Sequence, residues 1–242
     1  MKNDNSQIEH LLVICTHHKT GTNWLRKIFE TIASKQQLNF YLGEQSSLPL
    51  DTQIFFQEHS MVSLNKLSKY KGLHIIRDPR DIIVSGCFYH AKSDEPWLHK
   101  PQKWYGNMTY HQKINSYNTF EEKLFFEMDN CASWTIDKIA EWNYQQKDMY
   151  EVKYENLVMD QNLFIFHHIF HFLGFTENIL LDCLYVAYEN SLFSGKVSPT
   201  KHIRSGKIQQ WKNFFNREHK SKFKAKFGDL LIQLGYEKDN NW

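Results

Sequence analysis

Leu11 to Cys15 (LLVIC) is a short, unbroken apolar run, the pattern of a strand buried on both faces of a parallel sheet. A polar stretch containing glycine, Thr16 to Asn23 (THHKTGTN), follows at once. In WLRKIFETIA, which comes next, Trp24, Leu25, Ile28, Phe29 and Ile32 fall at helical spacing. Strand, loop, helix is the layout that aims a helix N-terminus, with its unpaired amides and positive dipole end, at an anion.

Three further apolar runs repeat the theme. Gln53 to Phe56 leads into Gln57-Glu58-His59. Gly72 to Ile76 (GLHII) ends in Arg77-Asp78-Pro79-Arg80-Asp81, followed by a helix-like stretch from Asp81 to about Ala91. Met149 to Tyr154 ends at Tyr154-Glu155-Asn156-Leu157. Strands alternating with helical segments predict an α/β fold, a central and mostly parallel sheet with flanking helices. Such sheets bind ligands just beyond the strand C-termini, where the polar segments here are found. A length of 242 residues suits one domain, 1–242. The segment from about Ser93 to Asn118 breaks the alternation. It is rich in Trp, Tyr, His, Lys and Asn, and reads as a lid or substrate-binding segment or as a variable surface loop. A basic surface helix is expected from about Glu218 to Leu234.

Charge narrows the function. Lys plus Arg number 29 against 27 Asp plus Glu, so the net charge of +2 argues against a general nucleic-acid binder and makes anion recognition local. Cys15, Cys87, Cys131 and Cys183 lie far apart without a CxxC pair, which predicts neither a zinc framework nor disulfides. The start, MKNDNSQIEH, is polar, and no apolar run approaches the roughly 18–20 residues that span a bilayer. A cytoplasmic protein with no membrane partner is the expectation. His167, His168 and His171 include ligand spacing on one helix face, yet no HExxH motif accompanies them, and no metal is expected.

Three segments carry anion-binding chemistry. In His17-His18-Lys19-Thr20-Gly21-Thr22-Asn23-Trp24, Gly21 permits a tight turn, while Thr20, Thr22 and Asn23 offer side-chain donors and Lys19 a point charge. This is not a Walker A loop, because the Lys precedes the only glycine instead of following a second one. In the second segment, Arg77 at a strand end and Ser85 about two turns into the next helix suit a second phosphate, Arg as a bidentate fork. Pro79 suits the start of that helix, with Asp81 as a cap and Arg80 solvated. The third is Arg204-Ser205-Gly206, followed by Trp211-Lys212-Asn213, where the glycine lets backbone approach an anion closely.

Together these segments resemble the PAPS-dependent sulfotransferase family, in particular its cytosolic-type domain. The family's first loop runs roughly T-Y-P-K-S-G-T-T-W-L, and this chain has T-H-H-K-T-G-T-N-W-L directly after its first strand. A family motif with Arg and, eight positions later, Ser is matched by Arg77 and Ser85. Its R-K-G-x-x-G-D-W-K-N is matched in register by Arg204, Gly206, Trp211, Lys212 and Asn213, and its Y-E-D-L-like segment by Tyr154 to Leu157. The resemblance implies a P-loop-NTPase-like sulfotransferase fold. It implies PAPS (3′-phosphoadenosine 5′-phosphosulfate) as co-substrate, PAP (3′,5′-ADP) as product, no metal, and a small-molecule hydroxyl or amine as acceptor. In its terms Lys19 and the amides of Thr20, Gly21, Thr22 and Asn23 hold the phosphosulfate, Trp24 stacks on adenine and Tyr154 lies near its edge. Arg77, Ser85, Arg204 and the Gly206 amide clamp the 3′-phosphate, in a loop where Ser205 stands in place of a frequent Lys. The family's dimerisation motif is absent, so an oligomeric state does not carry over.

Sulfuryl transfer needs a cation on the leaving oxygen, for which Lys19 is placed, and a base across the sulfur from it. The family's base is a His after the strand preceding the Arg motif, a position that His59 fits best, with Glu58 as the alternative. Adjacent strand residues face opposite sides, so only one of the two reaches the site. His17 and His18, which replace Tyr-Pro, either face the acceptor or pack within the loop. A P-loop kinase using ATP and a nucleotide-binding protein without catalysis are the competing functions.

Overall fold

A computed structural model describes residues 8–196 and 206–242. Its strands are β1 (Leu11–Cys15), β2 (Phe40–Leu42), β3 (Ile54–Gln57), β4 (Tyr70–Ile76) and β5 (Met149–Lys153). They form one sheet in the order β2-β3-β1-β4-β5, every neighbouring pair parallel. The four apolar runs read from the sequence are strands. The fifth, β2, is a three-residue edge strand too short and too exposed to show a pattern. With β3 on one side of β1 and β4 on the other, the C-terminal end of β1 is the switch point of the sheet, where open α/β sheets bind their ligands.

The chain folds into two compact units, Met1–Ile76 with Trp142–Gly206 and Arg77–Glu141 with Lys207–Trp242. The first unit holds the whole sheet and α1 (Thr22–Gln36). The chain enters the second unit for α2 (Pro79–His90), α3 (Tyr110–Asn115), α4 (Phe120–Asp129) and α5 (Cys131–Glu141). It returns to the first for α6 (Tyr154–Met159), α7 (Phe164–Phe172) and α8 (Glu177–Glu189). It ends in the second with α9 (Trp211–Phe214), α10 (Arg217–Phe227) and α11 (Leu230–Gln233). Helix α1 buries Leu25, Ile28, Phe29, Ile32 and Ala33, the stripe seen in the sequence with Trp24 at its edge. Helix α7 turns Phe166, Ile169 and Phe170 inward, leaving His167, His168 and His171 on its exposed face.

Four sequence expectations are corrected. Arg80 is not solvated. It is buried, forks onto both carboxylate oxygens of Asp78 (Nε–Oδ1 2.9 Å, Nη2–Oδ2 2.8 Å) and donates to Glu237 at 2.6 Å. Its plane is flanked by the rings of Trp211 and Trp242, 3.7 and 4.5 Å from their centroids, so a desolvated guanidinium is compensated by charge and π-faces. Asp78, not Asp81, caps α2, accepting from the Arg80 amide at 3.0 Å with Pro79 at the first turn. The 93–118 segment is ordered into two 3₁₀ turns and α3, whose Thr109 and Gln112 form a capping box. Last, the C-terminal helix is two helices. Gly228, at φ +55, stops α10 where a side chain would resist that backbone, and His219 and Phe223 are buried, so its face is not all surface.

Close packing shows in Gly72 on β4. An added Cβ there would stand 2.7 Å from the Val13 carbonyl oxygen and run into the Met149 sulfur. Gly72→Ala is expected to destabilise the protein by about 1–3 kcal/mol, read as a lowered urea midpoint at unchanged m-value.

Candidate active site

The loop leaving β1 is organised around the backbone of His17. Its carbonyl accepts from the Thr20 amide (3.1 Å), the Thr20 hydroxyl (2.8 Å) and the Thr22 hydroxyl (2.9 Å), while its own amide donates to Thr20 Oγ1 (2.9 Å). A buried peptide group must be satisfied, and here two side-chain hydroxyls do it. The hydroxyls of Thr20 and Thr22 are therefore committed inside the loop. The Thr20 amide is committed too, and what the loop can offer an anion is the amides of Gly21, Thr22 and Asn23, at the start of a 15-residue helix whose first N–H groups have no intrahelical partner. Lys19 and Gly21 take left-handed backbone, φ +65 and +100. At Gly21 a Cβ would lie 3.1 Å from the Tyr154 ring, so both conformation and space demand glycine. Trp24 lies edge-on to Tyr154 (6.1 Å) and Phe166 (5.8 Å), and Asn23 is exposed on the first turn of α1.

The segment after β3 is stitched to this loop. Thr16 N–H donates to the Gln57 carbonyl (3.0 Å), Thr16 Oγ1 to the Glu58 carbonyl (3.3 Å), and Ser60 Oγ to the Thr16 carbonyl (2.9 Å). His59 is half-buried, its amide held by Gln57 Oε1 at 2.7 Å. Glu58 is drawn the other way, onto Arg26 of α1 (3.2 Å). The two candidate bases thus have different partners, in the turn that follows β3.

Sequence reasoning missed a buried polar chain in the same unit. The sheet register aligns Gln57, Cys15, His74 and Glu151 in one row across four strands. His74 Nε2 is 2.8 Å from His17 Nε2, and its Nδ1 is 2.6 Å from Glu151 Oε2. Trp142 stacks on His74 at 4.0 Å and donates its indole N–H to Glu151 Oε1 at 2.8 Å. Burial pushes His74 down to about 3. It also holds His17 well below the usual imidazole range, with His74 and His59 as further causes. The Glu151 carboxyl is pushed up to about 7 by burial, against the pull of the Trp142 N–H. A His within GLHII and a Glu within MYEVK, each polar in an apolar strand, were the available signal, but only the register joins them.

In the second unit, Arg77 is the first residue after β4 and is nearly buried. It donates to the Lys207 carbonyl (3.4 Å) and lies 3.7 Å from Asp81 Oδ2. Asp81 accepts from the Trp211 amide at 2.9 Å, and burial raises its carboxyl despite Arg77. Ser85 lies two turns into α2, partly exposed. Gly206 has φ +61, and an added Cβ would run into Leu192. Arg204 and Ser205 lie outside the described residues. The aromatics of the 93–118 segment divide: Trp97 and Tyr110 pack edge-on to His90, whereas Trp104 is exposed. Tyr105, Lys113 and Tyr117 line a hollow of about 380 Å³ with Phe125, Phe126 and Asn130.

Known proteins share this chain's sequence pattern and fold. The Sulfotransferase domain family model matches residues 9–235. Sulfotransferase 2A1 of Homo sapiens is 24% identical over 263 residues, covering 93% of this chain and 86% of that protein. Sulfotransferase 2A6 of Mus musculus is 24% identical over 255 residues, covering 91% and 84%. The fold is similar to that of mouse sulfotransferase SULT7A1 complexed with PAP (TM-score 0.66, 18% identity, 94% of this chain and 87% of that one). It is also similar to retinol dehydratase in complex with androsterone and inactive cofactor PAP (TM-score 0.59, 17% identity, 91% and 80%). Since the family's domain spans nearly the whole sequence, the chain belongs to the sulfotransferase domain family and is a sulfotransferase.

Proposed function

We propose that the protein transfers the sulfuryl group of PAPS to a hydroxyl or amine of a small-molecule acceptor in the cytoplasm, releasing PAP. The observation that carries the reading is the β1 loop at the sheet's switch point. Its hydroxyls and the His17 carbonyl are turned onto each other, which leaves the first amides of α1 for an anion. The PAP-bound relatives of the same fold support the choice of nucleotide.

In this reading Lys19 and the amides of Gly21, Thr22 and Asn23 bind the phosphosulfate end, the Thr20 amide being turned onto the His17 carbonyl, and Trp24 and Tyr154 take the adenine. Arg77, Ser85, Arg204, Ser205 and Gly206 hold the 3′-phosphate, and residues 1–242 act as one sulfotransferase domain. His59 accepts the acceptor's proton as the acceptor oxygen bonds to sulfur. The bond from sulfur to the bridging oxygen breaks, its electron pair stays on the 5′-phosphate, and Lys19 stabilises that charge. The pairing of the Glu58 carboxylate with Arg26 supports His59 over Glu58 as the base.

Calorimetry is expected to show PAP binding at least about tenfold more tightly than 5′-ADP, with the preference lost in Arg77→Ala, because a charge-assisted fork is removed. Equal affinity of the wild type for both nucleotides would remove the case for a 3′-phosphate clamp. With radiolabelled PAPS and a panel of phenols, steroids and amines, Lys19→Ala and His59→Ala are each expected to lower turnover by about 100-fold or more, and Glu58→Gln by less than about threefold. Full turnover in His59→Ala would reassign the base.

A further inference from the structure

Donor and acceptor counting in the His17–His74–Glu151 chain allows few arrangements. The 2.8 Å contact between the two Nε2 atoms carries one hydrogen, so one ring donates and the other accepts. Because Trp142 donates to Oε1, the carboxylate oxygen facing His74 Nδ1 at 2.6 Å is the one that gains or lacks a proton. With Glu151 ionised, His74 donates from Nδ1, its Nε2 accepts from His17 Nε2–H, and His17 Nδ1 is bare. With Glu151 protonated, the carboxyl donates to His74 Nδ1, His74 donates from Nε2, and His17 carries its hydrogen on Nδ1. The two arrangements differ by one proton. A proton arriving at His17 Nδ1 converts the first into the second by two hops, from His17 Nε2 to His74 Nε2 and from His74 Nδ1 to Glu151 Oε2. No imidazolium persists, in keeping with rings that are 1% and 0% exposed.

We propose that Glu151 and His74 are positioning residues of the β1 loop: through their hydrogen bonds they hold His17 in place and fix which of its nitrogens carries the hydrogen. His17 is the residue around whose backbone Thr20 and Thr22 close the loop, so the brace reaches the segment that presents Lys19. The functional half of the proposal rests on that loop being the donor site. The chain's titratable neighbours are Cys15 on β1, Tyr144 beyond Trp142 and His59 after β3. Burial raises both the Cys15 thiol and the Tyr144 phenol, with Glu151 as a further cause. The Lys71–Asp148 pair sits toward the opposite end of β4 and β5. Burial also raises the Glu151 carboxyl to about 7, which places the exchange between the two arrangements in the physiological range.

The test needs no variant at first. Nitrogen-15 NMR of the histidine rings in the nucleotide-free full chain, from about pH 5.5 to about pH 8.5, reads each tautomer directly. At the alkaline end His74 should be protonated at Nδ1 and His17 at Nε2. Both should invert together on acidification, with one midpoint near about 7. Rings that keep one tautomer throughout, or that titrate separately to imidazolium, would overturn the proposal. In Glu151→Gln the inversion should vanish, and its persistence would overturn the role of Glu151. Stability gives a second reading. The folded carboxyl holds a proton between its ordinary 4.5 and about 7 that the unfolded chain has released, so the wild type loses stability as pH rises through that window. The melting temperature of Glu151→Gln relative to wild type should therefore climb between about pH 5 and about pH 8, and a flat difference would count against the switch.

The link to the loop is read by PAP calorimetry. His17→Phe, which cannot bond to His74, should lose about tenfold in affinity, whereas His17→Gln, which can, should stay within about threefold of wild type. Equal losses in both variants, or none in either, would overturn the loop-positioning role. Failure of the wild type to bind PAP would instead sink the donor reading above, leaving the tautomer result to stand or fall on its own.

Discussion

The row of paired residues Gln57, Cys15, His74 and Glu151 is the constraint on which the first unit's chemistry depends. Parallel pairing in this register brings β1, β3, β4 and β5 to an end at nearly the same level. Each strand then releases its chain within a residue or two of a segment proposed for the site: the β1 loop, Glu58-His59, Arg77 and Tyr154. A slip of one residue in any strand would turn its side chain in the row to the other face of the sheet and leave a polar group without its partner. The dry, apolar cluster of Val13, Cys15, Phe55, Leu64 and Met149 on the same face makes such a slip costly.

Both units solve the same problem by the same means. Polar groups at the ends of apolar elements are taken out of water, and each is given specific partners before anything else can be built on it. In the first unit the partners are hydroxyls folded onto a carbonyl and a carboxylate reached through two imidazoles. In the second, Arg80 is held between Asp78 and Glu237 and between two indole rings, while Asp81 meets the amide of Trp211. Such networks are worth most when complete, because a low-dielectric site strengthens every bond made and penalises every one missed.

Much of this was legible in the sequence. LLVIC, GLHII and their loops gave the parallel sheet, and Lys19, Gly21, Trp24 and Tyr154 marked the segments that the fold gathers beside the end of β1, because local order and spacing carry that information. Thr109 and Gln112 announced a helix start that went unread inside an aromatic, proline-containing segment. The pairing of His74 with His17 and Glu151 was illegible for a deeper reason. It depends on which strands are neighbours and in what register, a non-local property that residue spacing does not encode. Arg80 misled in the same way, since its partners Glu237 and Trp242 lie at the far end of the chain.

The enclosure of Arg80 and Asp81 also sets an order of events as the polypeptide is made. Residues 8–196, which include every strand among the described residues, are synthesised before Trp211, Glu237 and Trp242. Until those late residues leave the ribosome, the first turn of α2 has a guanidinium without its indole walls and a carboxylate without its amide. The sheet can settle during translation, whereas the enclosure of Arg80 in the helical unit waits for Trp242. The closing of α2 is thereby tied to the making of Trp211, Glu237 and Trp242, long after the sheet's strands are complete.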